Sequence, residues 1–289
     1  NGRPNSDVLK PWENGMDITR RPSGKWIIDF GWTMKEREAA LYEKPFAFAE
    51  QHIKPVRIHN NREAYAKNWW RHVEPRQGLM AKSSQLTRWI VTPEVSRHRV
   101  FRWLDRRVVP DHKLQVITRD DETTFGVLVS RIHNQWALGV GSWHGVGNDP
   151  RYTISTCFET FPFPEGLTPN IRATDYAADP RAVAIAIAAA ELDRLREAWL
   201  NPPDLVQRLP EVVPGYPDRI LPVDAKAAAI IKKRTLTNLY NERPAWLANA
   251  HADLDRAVAA AYGWPADLGD EQILERLFAL NQERAKAGR

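Results

Sequence analysis

The residues best suited to chemistry in this sequence are basic and aromatic side chains that alternate between His52 and Arg107. That stretch holds thirteen lysines and arginines against four acidic residues, a net charge of +9. It also holds four histidines and the tryptophans Trp69, Trp70, Trp89 and Trp103. Cationic side chains displace the counterions of phosphates, and aromatic rings stack on unpaired bases. The composition therefore favours binding to a nucleic acid, with a solvated basic face and buried tryptophans as the alternative.

Motifs for catalysis by a metal or a nucleotide cofactor are missing or incomplete. The sequence has neither His-Glu-x-x-His nor two histidines one helical turn apart. Its single cysteine, Cys157, cannot build an internal disulfide or a cysteine-based zinc site, and it fits a reducing cytoplasm. Residues 139–147 carry two Gly-Val-Gly repeats, but His144 stands where a dinucleotide-binding loop needs its third glycine. The pattern predicts a flexible loop, and we expect no metal site and no cofactor-binding site in this chain.

Two further motifs resemble catalytic ones but lack an essential part. Asn201-Pro-Pro-Asp204 is close to the Asn-Pro-Pro-aromatic motif of amino-methyltransferases, but Asp204 has no ring to stack on a flipped base. Pro217-Asp218 and Asp224-Ala-Lys226 supply the carboxylates and lysine of a nuclease, but only five residues separate them, too few for a strand pair to hold them. We therefore predict no catalytic residue here and interpret residues 201–204 as a helix stop.

The first 165 residues are predicted to form a mixture of helices and strands. Runs of β-branched and aromatic residues bounded by Gly, Pro and Asp predict strands at residues 26–30, 89–92, 114–118 and 125–129. Apolar residues at three-to-four spacing predict helices over residues 34–50 and 62–72. Pro45 must break the first of these helices or start a new one.

The rest of the chain is predicted to be mainly helical. Asp179-Pro180 is typical of a helix start, and Pro202-Pro203 ends that helix. Further helices are predicted from near residue 224 to about 240, from 244 to 263, and from 270 onwards. The proline-rich segment 201–222 should be extended along the surface, since proline lacks a backbone donor.

These patterns predict an α+β fold in two parts, a mixed domain over residues 1–168 and a helical domain over residues 169–289. The charge divides in a similar way, with a net of +6 over residues 1–165 and −1 over residues 166–289. No apolar run reaches the roughly 18 residues of a membrane helix, and the N-terminus lacks a signal-peptide pattern. We expect a soluble, cytoplasmic protein with no membrane partner.

Several segments, taken in order, resemble the region that follows the catalytic domain in MmeI-like DNA adenine methyltransferases. The resemblance covers nearly the whole chain, and matches in one order are more specific than any single motif. The segments are Asn1-Gly-Arg-Pro-Asn-Ser-Asp-Val8, Trp26-Ile-Ile-Asp-Phe30, Lys54-Pro-Val-Arg57, Tyr152-Thr-Ile-Ser-Thr-Cys-Phe-Glu-Thr-Phe-Pro-Phe-Pro164, Arg234-Thr-Leu-Thr-Asn-Leu-Tyr-Asn241 and Ala261-Tyr-Gly-Trp264.

The resemblance implies a DNA target-recognition domain over residues 1–168 and an all-α bundle over residues 169–289. In that family the preceding domain transfers a methyl group from S-adenosylmethionine to adenine N6. This chain lacks the glycines of a cofactor-binding loop and the complete Asn-Pro-Pro-aromatic motif. The resemblance therefore implies a catalytic partner domain, in the same or a separate chain. It also implies S-adenosylmethionine as cofactor of the parent enzyme. Two alternatives stay open: a stand-alone DNA-binding or structural subunit, and a nuclease or RNA-modifying protein.

Candidate contacts to double-stranded DNA fall into two groups, because phosphate contacts position a protein and base contacts read the sequence. Glycines in loop 139–151 permit close approach to a groove, and the resemblance implies a specificity determinant just before residue 152. The candidate base-reading residues are His144, Asn148, Asp149 and Arg151. The candidate phosphate-binding residues are Lys54, Arg57, Arg71, Arg76, Lys82, Arg88, Arg97 and Arg99, with Ser84 and its neighbours Ser83 and Gln85 as neutral donors.

Overall fold

A computed structural model of the chain describes residues 2–72, 74, 77–145 and 149–288. Helices and strands alternate in the first half of the chain, and helices dominate the second half. The helices are α1 (Gly15–Thr19), α2 (Glu36–Ala39), α3 (Glu43–His52), α4 (Lys54–Arg57), α5 (Glu63–Lys67), α6 (Gln77–Lys82), α7 (Glu122–Val129), α8 (Arg131–Val140), α9 (Ala173–Tyr176), α10 (Pro180–Leu200), α11 (Ala225–Ile231), α12 (Leu236–Glu242), α13 (Ala245–Tyr262) and α14 (Asp270–Lys286).

The strands form small sheets rather than one continuous sheet. They are β1 (Leu9–Glu13), β2 (Trp26–Ile28), β3 (Arg88–Pro93), β4 (Arg102–Asp105), β5 (Val109–Pro110), β6 (Leu114–Ile117), β7 (Ser142–His144), β8 (Asp149–Arg151), β9 (Val206–Leu209) and β10 (Arg219–Pro222). Strand β3 is the centre of an antiparallel sheet in the order β4-β3-β6, and β1 lies between antiparallel β2 and parallel β5. The pairs β7–β8 and β9–β10 are two-stranded and antiparallel.

The largest apolar core continues across residue 168, the predicted end of the first domain. It joins Phe101 and Phe125 from the N-terminal half to Ile185, Leu254 and Leu277 from the C-terminal helices. Helix α7 packs directly on α10, and Gly126 makes this possible: a Cβ at that position would lie 2.6 Å from Cγ2 of Ile185. The two predicted parts therefore share one interior.

The tryptophans of the basic stretch are mostly structural. Trp69 is buried in a second core with Phe30 and Tyr42, and Trp89 is buried in a third core beneath β3. Trp103 stacks on Phe125 with ring centroids 4.5 Å apart. Trp69, Trp89 and Trp103 therefore cannot stack on bases. The expectation that these aromatic rings form a base-stacking surface was wrong.

The prediction of a strand over residues 125–129 was wrong, because these residues lie in α7. Residues 123–128 are all buried, so the helix shows no polar face and its apolar run resembles a strand. The local signal for a helix was Asp121, whose side chain accepts a hydrogen bond from the backbone N of Thr124 (2.8 Å).

Most C-terminal helix boundaries match their local signals. Asp179 caps α10, Gly263 ends α13 in a left-handed conformation, and α14 begins at Asp270. The helix predicted over residues 224–240 is instead two helices, because Thr235 caps α12 by accepting from the backbone N of Asn238. The proline-rich segment is extended and forms the β9–β10 hairpin. The α+β fold with C-terminal helices is confirmed. No helix among the described residues has the length and apolarity needed to cross a bilayer.

Candidate nucleic-acid interface

A cleft of about 900 Å³ brings together residues that are distant in the sequence. Its lining comes from α1, the segment after β3, the turn before β6, the β7–β8 hairpin and α12. Four cationic side chains against two carboxylates line it, so we call it the basic cleft. The charged residues are Arg20, Arg97, Lys113, Arg151, Glu94 and Asp111.

Glu94 organises the basic cleft. Its side chain is 9% exposed and forms ion pairs with Arg151 Nη2 (2.6 Å) and Lys113 Nζ (3.0 Å). Burial alone would raise the pKa of Glu94, but hydrogen bonds from the two cations outweigh it and hold this pKa below its ordinary value. Glu94 therefore stays ionised and fixes the positions of both cations, each of which remains about half exposed.

The predicted glycine-rich loop forms the β7–β8 hairpin. His144 pairs with Asp149 and Ser142 pairs with Arg151 across it, and all of Ser142–His144 is exposed. Gly141 is required at its base, because a Cβ there would lie 2.4 Å from the backbone O of Ala137. His144 and Arg151 line the basic cleft, Asp149 is half-buried beside them, and Asn148 lies outside the described residues.

Arg99 attaches this hairpin to the end of β3. It donates to Thr92 Oγ1 (2.9 Å), to the backbone O of Pro150 (2.9 Å) and to that of Pro93. Burial lowers the pKa of Arg99 to about 10. Arg99 is thus committed to internal hydrogen bonds, whereas Arg97, two residues earlier, is exposed in the cleft and has no polar partner among the described residues.

Three further candidate phosphate-binding residues, Arg57, Arg71 and Arg88, lie outside the basic cleft. Arg57 and Arg71 donate to backbone carbonyls, including Trp69 O (3.0 Å) and Met34 O (2.8 Å), and so hold the second core together. Arg88 pairs with Glu122 (2.7 Å).

The structure describes the side chains of two of the last four candidates, Lys54 and Ser84. Lys54 is about one-third exposed and pairs with Glu50 (2.8 Å), while Ser84 is exposed in the turn after α6. Arg76 and the side chain of Lys82 lie outside what the structure describes.

Sequence reasoning missed Arg20 and Lys113 as cleft residues. Neither belongs to the basic stretch between residues 52 and 107, and no local pattern distinguishes them from surface charges. Thr237 of α12 also lines the cleft, and its Oγ1 donates to the backbone O of Thr19 (3.3 Å), which joins α12 to this site. Among the described residues, no group of three or more His, Cys, Asp or Glu is arranged to hold a metal.

Comparisons with known proteins agree with this arrangement of elements. Residues 34–165 match the family described as "MmeI, target recognition domain". Nearly the whole chain superposes on a solved structure of the type IIL restriction-modification enzyme MmeI in complex with DNA, with a TM-score of 0.67 and 19% sequence identity. The match covers 98% of this chain and 32% of that chain, so this chain spans about a third of the length of the MmeI chain. A search of the curated proteins gives no match.

Proposed function

Residues 34–165 of this chain match the MmeI target recognition domain, and from that premise we propose that the chain is the specificity portion of a restriction-modification DNA methyltransferase. In this proposal the chain recognises a sequence in double-stranded DNA. A catalytic domain outside this chain binds S-adenosylmethionine and methylates adenine N6. The basic cleft is the observation that carries the proposal.

The basic cleft contains both kinds of group that sequence-specific binding requires. Arg97 is exposed and unpaired among the described residues, which suits a phosphate contact because no internal ion pair must be broken first. Arg151 is held by Glu94 on its Nε and Nη2 side, so its guanidinium enters the cleft with a fixed orientation. A fixed guanidinium is suited to base readout, since hydrogen bonds to guanine O6 and N7 depend on geometry.

Two other candidate base contacts belong to the same hairpin, where His144 and Asp149 pair across the strands. Asn148, an amide suited to adenine N6 and N7, precedes Asp149 in the sequence. We propose that the β7–β8 hairpin enters a groove of the duplex and that residues 144–151 choose the sequence. The proposal places the protein in the cytoplasm, where its buried thiol, Cys157, stays reduced.

Selection from a randomised duplex library by the full chain tests this function. We expect enrichment of one short sequence, and binding to it should weaken about a thousandfold between 50 and 200 mM salt if about six phosphates are contacted. Arg151→Ala should relax the preference at one base pair, at a cost of roughly 1–3 kcal/mol of discrimination there. Lys286→Ala, an exposed cation at the end of α14, is the matched control and should select the wild-type sequence.

Three results would contradict parts of the proposal. Absence of any enriched sequence would end the assignment of sequence recognition. An Arg151 variant that kept every preference while losing affinity uniformly would place that side chain on the DNA backbone. Binding of S-adenosylmethionine by this chain, or metal-dependent cleavage of DNA or RNA, would favour a complete methyltransferase or a nuclease instead.

A further inference from the structure

Helix α1 contributes a surface to the basic cleft that lies outside the matched region 34–165. Met16 lies in α1 and Arg20 is the residue that follows it, and the backbone N of Arg20 donates to the backbone O of Met16 (2.8 Å), which holds the two residues one turn apart. Both are exposed, Met16 to 57%, and both line the cleft. Arg20 has no side-chain hydrogen bond or ion pair among the described residues, so it resembles Arg97 and differs from the internally bonded Arg57, Arg71 and Arg99.

Helix α1, which carries Met16 and precedes Arg20, is fixed at its N-terminus and on its buried face. Asn14 Oδ1 accepts from the backbone N of Met16 (2.8 Å) and of Asp17 (3.1 Å), and the Asp17 carboxylate accepts from Asn14 N (2.9 Å). This reciprocal cap satisfies backbone donors at the helix start. Ile18 is 1% exposed beneath β3, so the opposite face of α1 is anchored in a core.

Two contacts position α1 relative to the hairpin. A Cβ on Gly15 would lie 3.2 Å from Cβ of Pro93, so α1 lies against the residue that precedes Glu94. Thr237 binds the end of α1 from α12. Pro93 contacts α1, and the next residue, Glu94, pairs with Arg151 in the β7–β8 hairpin. Residues 93 and 94 therefore connect α1 to that hairpin.

We propose that α1 and Arg20, the residue that follows it, form a second DNA-contacting element, in which Arg20 binds a backbone phosphate and Met16 contacts the C5-methyl group of a thymine. This inference rests on the proposed function and extends it. Met16 has no hydrogen-bonding group for a phosphate or a polar base edge, and the thymine methyl is the apolar group that a major groove presents. Contact between the Met16 side chain and the thymine methyl group removes both from water, which stabilises the complex.

The test uses the duplex that the full wild-type chain selects from a random library. Arg20→Ala should make the negative slope of log affinity against log salt shallower by about one unit and leave the selected sequence unchanged. Replacing thymine by deoxyuridine at each position in turn removes one methyl group. At one position the wild-type chain should lose about fourfold in affinity, as expected for one buried methyl-sized group, whereas Met16→Ala should not respond to that replacement.

Controls separate this inference from the proposed function. Both substitutions are at exposed positions and should leave the thermal unfolding temperature unchanged, and Lys286→Ala should leave both the salt slope and the deoxyuridine profile unchanged. If the wild-type chain selects a sequence but Arg20→Ala keeps its salt slope, or no thymine position depends on Met16, the α1 contact is wrong and the proposed function stands. If the wild-type chain selects no sequence, both fail.

Discussion

Arg97 and Arg99 lie two residues apart in one short segment but have different environments. Arg97 is exposed in the basic cleft, whereas Arg99 points inwards and binds Thr92, Pro93 and Pro150. An extended backbone would direct residues 97 and 99 to the same side, but the chain bends at residues 97 and 98 and so turns the two side chains to different environments. Identical residue types in one basic stretch can thus serve binding and folding separately.

This pair gives a matched prediction. Arg97→Ala should lower DNA affinity and reduce the salt slope by about one unit, with no change in the unfolding midpoint. Arg99→Ala should lower the free energy of unfolding by about 2 kcal/mol or more, because buried acceptors lose their donor. Fluorescence anisotropy on duplex DNA and urea unfolding measure the two effects. Equal unfolding midpoints for both variants would show that Arg99 does not anchor the hairpin.

Glu94 predicts a dependence of stability on pH. Its pKa is held below the ordinary 4.5, so its contribution is present above that pH and is lost as pH falls through the folded-state pKa. Glu94→Gln should lower the free energy of unfolding by about 1–2 kcal/mol at pH 7, since Arg151 and Lys113 lose their shared carboxylate. Urea unfolding from pH 7 to pH 3 should show this difference shrinking below about pH 4.5.

The control for this prediction is Glu191→Gln on α10. Glu191 pairs with Arg194 on an exposed helix surface, where an ion pair adds little to stability. The control should unfold like the wild type across the same pH range. If the free energies of unfolding of the wild type and Glu94→Gln differed by a constant amount down to pH 3, the charge of the Glu94 carboxylate would not stabilise the fold.

At the scale of elements, the contact of α7 with α10 depends on the absence of a side chain at residue 126. The added Cβ of Gly126→Ala would lie 2.6 Å from Ile185 Cγ2 and 2.9 Å from Ala189 Cβ. We expect this strain to exceed the gain in helix propensity and to lower the free energy of unfolding by about 1–3 kcal/mol. Urea unfolding of the full chain measures it.

Gly139→Ala is the comparison for this substitution. Its Cβ would meet the end of the Leu274 side chain at 2.7 Å, and a terminal methyl can rotate away. The Gly139 variant should therefore lose less stability than the Gly126 variant. The opposite order would show that α7 and α10 can move apart at low cost.

At the scale of the whole molecule, the shared core makes the two halves interdependent. A fragment that ends at Pro164 would expose Phe101 and Phe125, which pack against the C-terminal helices in the intact chain. We expect this fragment to show no cooperative thermal transition by circular dichroism, whereas the full chain should unfold in one transition. A fragment that unfolded cooperatively and bound DNA as tightly as the full chain would show that residues 165–289 are needed for neither task.

Features that depend on neighbouring residues were predictable from the amino-acid sequence. Asp179-Pro180, the Gly263 stop and the apolar stripes gave the boundaries of α10, α13 and α14, since caps and helical periodicity act within a few residues. The same locality explains the error at α7, where burial on every side removed the helical pattern. The ordered segments also gave the resemblance to MmeI-like enzymes, because they required no three-dimensional information.

Which charged residues meet in the basic cleft could be known only from the folded chain. The four cationic residues of the basic cleft come from separate parts of the chain. They converge because α1 packs on Pro93, and because Glu94 pairs with Lys113 in the turn before β6 and with Arg151 in the β7–β8 hairpin. No sequence spacing encodes that convergence, since it depends on contacts between residues that are 19, 57 and 78 positions apart. The tertiary structure likewise decided that Arg57, Arg71 and Arg99 bond internally, because an arginine turns inwards only where folding presents carbonyl oxygens to satisfy its donors.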